Sequence, residues 1–390
     1  MSLSASLPPL QVPLRVIHII YAPGIAGAER HLLDLLAGMR ERGIDARFIL
    51  LVDPGSASNE MQQAAEARGI PVQRVMMYRS LDFSLFGRLR TALQTLKPDV
   101  VHTHLAQADV HGIIAARLAR IPVVVLSRHN DDPRYRKLVR RTVYQLLWRL
   151  ANGGIAISNA VRRFNIEVEG AVPAKVHTIH YGLPLPITKQ DKPTVRKALR
   201  EEIAADSEAL VVGMVCRLMD AKGLPDAINA FAKIAPDFPT AQFVIAGDGP
   251  LKAELAAQIQ QLKMTGQIHM LGWRDPMPVM AALDVLLMPS VREGFGLTLL
   301  EAMSQAIPII GSTASAIPEI VLNGQTGITV PPRNPDALVE AMRTLLNDKP
   351  LRMHLGMLGE ERLETQFSAA RMVDETLNLY EKLKPGLKRK

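Results

Sequence analysis

Short apolar runs recur along the chain, at 14–22 (LRVIHIIYA), 46–52 (ARFILLV), 99–104 (DVVHTH), 122–129 (PVVVLSRH), 154–158 (GIAIS) and 175–182 (KVHTIHYG). Between them lie stretches such as AERHLLDLLAGMRERG, whose apolar residues return every three or four positions, the spacing of one helix face. Apolar strands alternating with crossover helices predict a parallel sheet covered on both faces. LPLPITKQDKPTV (183–195), rich in Pro and polar residues, reads as a linker. A second series follows: 209–216 (ALVVGMVC), 241–249 (AQFVIAGDG), 267–273 (QIHMLGW), 284–290 (DVLLMPS), 306–312 (AIPIIGS) and 326–332 (TGITVPP). The expected fold is therefore α/β, with two doubly wound domains facing a central cleft and ligands at the carboxyl ends of the strands. The boundaries fall at 1–186 and 187–366, with a helix and a basic tail, GLKRK, over 367–390.

Composition narrows the class. A chain of 390 residues exceeds one ordinary core, and with 48% hydrophobic but only 4% aromatic residues the cores must be aliphatic. The single cysteine, Cys216, excludes a disulfide framework or a cysteine-rich zinc site and reads as a small core residue. No apolar run reaches the roughly 18 residues of a membrane span, and the N-terminus lacks the basic-then-apolar order of a signal peptide, so cytoplasm is expected. Residues 1–186 hold 23 Lys and Arg against 14 Asp and Glu, a balance of +9, and the remainder 23 against 24, a balance of −1. The excess in the first half suggests an anionic partner: a phospholipid surface, a phosphorylated acceptor or nucleic acid.

The chemistry concentrates in MPSVREGFGLTLLEAMSQAIPII (288–310), which reads as a buried strand, a loop with Gly294 and Gly296, and a helix from Leu297. Glycines let backbone N–H groups approach a ligand, and a helix N-terminus favours negative charge, so this is an anion site suited to a diphosphate. Glu293 in the loop and Glu301 in the helix can accept sugar hydroxyls, at about 1.5–3 kcal/mol for each charge-assisted bond. Taken singly, Glu293 reads equally as a solvated loop residue and Glu301 as a helix-surface residue.

Glu293-Gly294-Phe295-Gly296-Leu297-Thr298-Leu299-Leu300-Glu301 resembles the signature of family 4 of the retaining glycosyltransferases, two glutamates separated by seven residues around a Gly-aromatic-Gly loop. The resemblance spans about residues 14–384. It implies the GT-B fold, two Rossmann-like domains with the C-terminal helix crossing back onto the N-terminal one, which binds the acceptor. By resemblance Glu293 binds donor-sugar hydroxyls, Glu301 the ribose, and the loop N–H groups of Gly294, Phe295, Gly296, Leu297 and Thr298 the phosphates. Arg217 and Lys222, in VVGMVCRLMDAKGLPDAINAF (211–231), match the family's Arg…Lys-Gly element and would neutralise the departing diphosphate. Alone they would read as surface cations.

Other matches are weaker. AGDGPLKAEL (246–255) resembles the next strand-to-helix turn, and LGWRD (271–275) the place of the nucleotide base, near Arg274. Trp273 there reads equally as core packing. Ala316-Ile317-Pro318-Glu319-Ile320 and Gly324-Gln325-Thr326-Gly327 match structural elements. In PGIAGAERHLLDL (23–35) Gly27 stands where the family's second glycine approaches the donor, but Ala26 replaces the first, which leaves the closeness of that approach open. His129 aligns with a histidine beside the donor sugar and would donate a hydrogen bond or shape the pocket; Asp131 and Asp132 follow it towards the acceptor. HYGLP (180–184) departs from the usual interdomain element. His102 and His104 share one strand without a third ligand, so neither metal nor cofactor is expected.

PRYRKLVRRTVYQLLWRL (133–150) sets Arg134, Arg136, Lys137, Arg140, Arg141 and Arg149 against an apolar side of Val139, Val143, Leu146, Leu147 and Leu150. Such a helix either lies on an anionic membrane or packs its apolar side into the core. The expected enzyme is a retaining hexosyltransferase. It moves a hexose or N-acetylhexosamine from a nucleotide-diphosphate sugar, UDP ahead of GDP by family frequency, to a glycan or glycolipid in polysaccharide or lipopolysaccharide assembly. It would touch the inner face of the membrane peripherally through its N-terminal domain and bind no nucleic acid. No residue offers a convincing nucleophile, so no covalent intermediate is expected. A nicotinamide oxidoreductase lacks its G-x-G-x-x-G, and a nucleic-acid binder its interleaved aromatics. A nucleotide-sugar epimerase on the same fold and a nucleotide-sugar-binding pseudoenzyme remain the alternatives.

Overall fold

The computed structural model describes residues 14–55, 60–186 and 189–384. The N-terminal segment and the basic tail, both read from sequence, lie outside them. Seven strands, β1 (Arg15–Tyr21), β2 (Asp45–Val52), β3 (Val72–Met76), β4 (Val100–His104), β5 (Val123–Arg128), β6 (Gly153–Ala156) and β7 (Val176–Thr178), form one parallel sheet in the order β3-β2-β1-β4-β5-β6-β7. Six more, β8 (Val211–Val215), β9 (Gln242–Ala246), β10 (Ile268–Gly272), β11 (Val285–Met288), β12 (Ile309–Ser312) and β13 (Gly327–Val330), form a second, in the order β10-β9-β8-β11-β12-β13. Strand order reverses between β1 and β4 in the first sheet and between β8 and β11 in the second. At such a point the flanking loops diverge and open a crevice for a ligand.

The chain divides into two compact units, one of residues up to Pro184 together with those from Ala369 onward, the other Leu185–Ser368. In the first, β1 and β2 pack with the helix Gly27–Glu41 in one apolar cluster that includes Met372, Val373, Leu377 and Tyr380 of the helix Ala369–Leu383. That contact is close: a side chain at Gly38 would meet Val373 Cγ2 at 2.8 Å. Arg42 pairs with Asp374 at 2.8 Å and Lys384 with Asp99 at 2.5 Å.

Three sequence expectations are corrected. β3 was not foreseen, because it is an edge strand whose Gln73 and Arg74 face water, leaving no apolar run. The last four residues of the expected linker open the helix Lys192–Glu202, with Pro193 in its first turn, where a missing N–H costs nothing. The third concerns the basic helix. It is a 3₁₀ turn, Pro133–Arg136, followed by the helix Leu138–Leu150, and its buried face is Tyr144, Leu147 and Trp148. Val139, Val143 and Leu146 are exposed rather than turned to the core. Among the described residues no helix is long and apolar enough to cross a membrane.

Candidate functional site

In the second unit the reversal point lies between β8 and β11, and the loops leaving these two strands carry the acids and cations singled out above. Met288 ends β11, and the chain runs through Glu293 to Gly296, the N-cap of the helix Leu297–Ser304. Gly296 has φ +95°, a conformation that side chains disfavour, so the turn into the helix depends on glycine. Leu299 N–H donates to the Gly296 carbonyl at 2.9 Å, and the N–H groups of Leu297 and Thr298 at the helix start are of the kind that holds anions. Glu301 sits in its second turn and is buried, not on the helix surface. Phe295 turns its ring inward against Phe367, 5.9 Å between centroids, so only its backbone can serve a ligand. Gly294, Leu297 and Thr298 are half-buried around it.

The loop after β8 meets this one back to back. Gly223 has φ +68°, and a Cβ there would lie 2.4 Å from the carbonyl oxygen of Pro289. Both features require glycine and bring Lys222 beside the β11 loop, where Val291 N–H donates to the Ala221 carbonyl at 2.9 Å. Lys222 Nζ then donates to Glu293 Oε2 at 2.5 Å. Burial alone would depress the Lys222 ammonium, but the Glu293 carboxylate outweighs it and the net shift is upward. Lys222 is thus a fixed positive charge. The Glu293 backbone is held from the far side, its carbonyl accepting from Ala316 N–H at 3.2 Å, which gives the Ala316–Ile320 motif a part in positioning the acid. Arg217 is exposed and makes no hydrogen bond or ion pair among the described residues. Cys216 is half-buried, and burial first of all pushes its thiol up to about 11.

Two further elements border these loops. The turn after β9 is strapped to Leu218, whose N–H donates to the Asp248 carbonyl at 3.0 Å, so the Gly-Asp-Gly turn supports the Arg217 loop. After β10, Arg274 pairs with Glu202 and its Nε donates to the Leu271 carbonyl at 3.2 Å. Trp273 is 78% exposed, which overturns core packing as its role.

In the first unit Gly27 opens the helix after β1 and is exposed, with Ala26 as an extended N-cap. His129, at the end of β5, is buried and spends both ring nitrogens inside the protein: Nε2 against His104 Nδ1 at 3.1 Å and Nδ1 against the Tyr181 hydroxyl at 2.5 Å. Asp132 accepts from Arg134 N–H at 2.9 Å and caps the 3₁₀ turn. His18 on β1 supplies the third imidazole that sequence alone did not place beside His102 and His104, their ring nitrogens lying within 4.8 Å of one another.

Sequence reasoning also missed a buried ionic cluster. Arg128 pairs with Glu169 at 2.6 Å and with Asp109 at 3.3 Å, Tyr144 Oη donates to Asp109 at 2.9 Å, and Trp148 Nε1 donates to Glu169 at 3.1 Å. These bonds choose the inward face of the helix Leu138–Leu150, ahead of its aliphatic side chains. The available signal was Arg128 itself, a charge closing an otherwise apolar strand.

The sequence model described as Glycosyl transferases group 1 matches residues 195–362, and that described as Glycosyltransferase Family 4 matches residues 25–185. The chain is 26% identical to the alpha-maltose-1-phosphate synthase of Mycolicibacterium smegmatis, over 93% of this chain and 97% of that one. It is 26% identical to the UDP-Gal:alpha-D-GlcNAc-diphosphoundecaprenol alpha-1,3-galactosyltransferase of Escherichia coli, over 94% of this chain and 96% of that one. Among solved structures, Anabaena HepE in complex with UDP and glucose superposes with a TM-score of 0.83 at 22% identity, covering 95% of this chain and 100% of that one. The family 4 segment takes in β2 to β7 of the first sheet, and the group 1 segment takes in the whole second sheet with the paired loops of β8 and β11. The chain therefore belongs to the group 1, family 4 glycosyltransferases of GT-B fold, and its activity is the transfer of a sugar.

Proposed function

We propose that this enzyme transfers a hexose or N-acetylhexosamine from a UDP-sugar, with retention of configuration, to a glycan or glycolipid acceptor at an anionic membrane. The observation that carries the reading is the Lys222–Glu293 pair, set against the N-terminus of the helix that bears Glu301. A diphosphate placed there meets a fixed ammonium, the exposed guanidinium of Arg217 and helix N–H groups. Charge develops on that diphosphate as the glycosidic bond breaks, and preorganised donors stabilise it without reorganisation. Glu301 would take the ribose hydroxyls and Glu293 those of the sugar, while the backbone near Arg274 would contact the base. Retention follows if the acceptor attacks the face from which the diphosphate leaves. Glu293 is held by Lys222 and is not assigned the part of a nucleophile. The charge facing the diphosphate comes from Arg217 and Lys222, and no step is given to a metal.

The acceptor side rests on the first unit. Leu138 and Val139 are 77% and 76% exposed on the helix that carries Arg140 and Arg141. Phe83, Leu81 and Tyr78 are exposed at the start of the helix Phe83–Leu96, and both helices pack on Leu105–Leu118. Apolar side chains ringed by cations suit an anionic lipid surface. UDP-glucose, UDP-galactose, UDP-N-acetylglucosamine and GDP-mannose offered with lipid-linked acceptors in anionic vesicles, and followed by NMR, test the reading. UDP release with an α-configured product supports it. A β-configured product contradicts retention, and turnover of GDP-mannose alone contradicts the base.

A further inference from the structure

Around the reversal point of the first sheet runs a single file of hydrogen-bonded rings. From one end, the Tyr181 hydroxyl meets His129 Nδ1 at 2.5 Å, His129 Nε2 meets His104 Nδ1 at 3.1 Å, and His104 Nε2 meets His18 Nδ1 at 2.9 Å. His18 Nε2 continues to the Tyr380 hydroxyl at 3.4 Å, Tyr380 to His102 Nδ1 at 2.6 Å, and His102 Nε2 to Ser127 Oγ at 2.8 Å. Every member is buried, and His129 is the most exposed at 9%. His31 stacks on Tyr181 with 3.9 Å between centroids and closes that end. Burial holds His18 and His129 down at about 3 and His102 and His104 well below their ordinary value, so all four rings are neutral near pH 7.

A neutral imidazole has one N–H and one lone pair, and here each ring uses both nitrogens along the file. The arrangement has two complete solutions. In one, Tyr181 donates to His129 and every histidine carries its proton on Nε2; in the other, every histidine carries it on Nδ1 and the bonds run back towards Tyr181. A mixed arrangement sets N–H against N–H or lone pair against lone pair in a buried site. His18, His102 and His104 bring one ring nitrogen each within 4.8 Å of one another, but both nitrogens of every one of these rings already have a partner along the file, so the three imidazoles form links of a chain.

We propose that this chain acts as one unit that fixes His129 in a single tautomer and orientation, making Tyr181, His104, His18 and Tyr380 positioning residues for it. Tyr380 thereby gives the helix Ala369–Leu383 a part in the chemistry as well as in packing. The inference rests, for its catalytic consequence, on the reading that His129 borders the donor sugar; the state of the chain does not.

The test uses the full-length protein with 15N-labelled histidine, long-range 1H–15N spectra to read each tautomer, and assignment by single His→Gln variants. In the wild type His18, His104 and His129 share one tautomer. Tyr380→Phe leaves His18 Nε2 without a partner, and since a bare lone pair is tolerated better than a bare N–H, the three settle as Nδ1–H. Tyr181→Phe leaves His129 Nδ1 bare and drives the same three to Nε2–H. The wild type must match one variant and differ from the other. Unlike tautomers within the three, or the same tautomer in both variants, overturns the proposal, as does one zinc per chain that His18→Gln removes. With UDP-glucose as the probe donor, Tyr380→Phe lowers kcat about tenfold while its KM and UDP binding hold. If the wild type turns over no sugar nucleotide, the reading of His129 fails while the spectra still decide the chain.

Discussion

The two reversal points solve the same geometric problem with opposite chemistry. In the second unit the crevice is charged: Lys222 and Glu293 pair across two loops, Arg217 stands free of protein partners among the described residues, and a helix N-terminus completes an anion site. In the first unit the corresponding place is neutral, filled by imidazoles and phenols whose nitrogens and hydroxyls satisfy one another. Buried full charges of this unit pair elsewhere, in the Arg128–Glu169–Asp109 cluster. Loop charges are free to answer a ligand. Rings hydrogen-bonded within a sheet are committed to one arrangement, and suit holding a group in place.

Substitutions that exchange the two characters have the largest expected effects. Lys222→Ala removes the fixed cation and should cut turnover by about 10²–10³, the cost of losing one preorganised donor, with UDP affinity falling alongside. Calorimetry and initial rates would show it. Lys222→Met combined with Glu293→Gln should be far less than additive, because the two act as a pair. Arg128→Met leaves Asp109 and Glu169 buried without their cation and should cost about 3–5 kcal/mol of stability, read from urea unfolding. A loss below about 1 kcal/mol would mean the cluster is not desolvated as its burial implies.

Acid separates the two units next. His18 and His129 have folded values near 3 against an ordinary 6.5, and His31, His102 and His104 are lowered too. A depressed value means the unfolded chain binds the proton first. The stability contributed is present above pH 6.5 and is lost as pH falls towards 3, by up to about 1.4 kcal/mol per pH unit for each ring. Asp109 and Asp34 oppose this: burial raises each to about 6, so their contribution is full below the ordinary 3.8 and lost as pH rises through 6, and burial raises Glu29 as well. Five rings, with His177 lowered as well, outweigh three carboxyls, and the first unit should unfold between pH 6 and 4 before the second, where His269 is the one lowered histidine among the described residues. Fluorescence of Trp148, buried in the first unit, against that of exposed Trp273 would separate the transitions. The smallest effect on the fold comes at the surface. Arg140→Ala with Arg141→Ala should change stability by less than about 0.5 kcal/mol yet weaken binding to anionic vesicles by about 1 kcal/mol for each charge removed.

The charged crevice was legible in the sequence and the neutral one was not, for a physical reason. Acids and cations in Gly-rich loops keep a fixed spacing, since strand, loop and helix follow each other in the chain; seven residues separate Glu293 from Glu301, and the loop and the helix start join them. The ring chain draws its members from β1, β4, β5, the loop holding Tyr181 and a helix near the end of the chain, so no local spacing marks it. Its local signs were His18 in LRVIHIIYA and the pair His102 and His104 in DVVHTH, polar residues within strands whose partners lie far along the chain. The helix Leu138–Leu150 shows the same limit: its aliphatic spacing suggested one inward face, and long-range bonds from Tyr144 and Trp148 selected another. Most strands needed no such information, because a parallel strand covered on both faces is apolar throughout, and β3 failed that pattern as an edge.

The most direct test of the account is the thermal stability of the purified protein in UDP, compared with the same measurement on Glu301→Ala and Arg217→Ala. At 100 times its dissociation constant UDP should add about 2.7 kcal/mol to the wild type, and both substitutions should reduce that gain at the same concentration. Undiminished stabilisation of both variants would put the nucleotide somewhere other than the crevice between β8 and β11 and contradict the site built here.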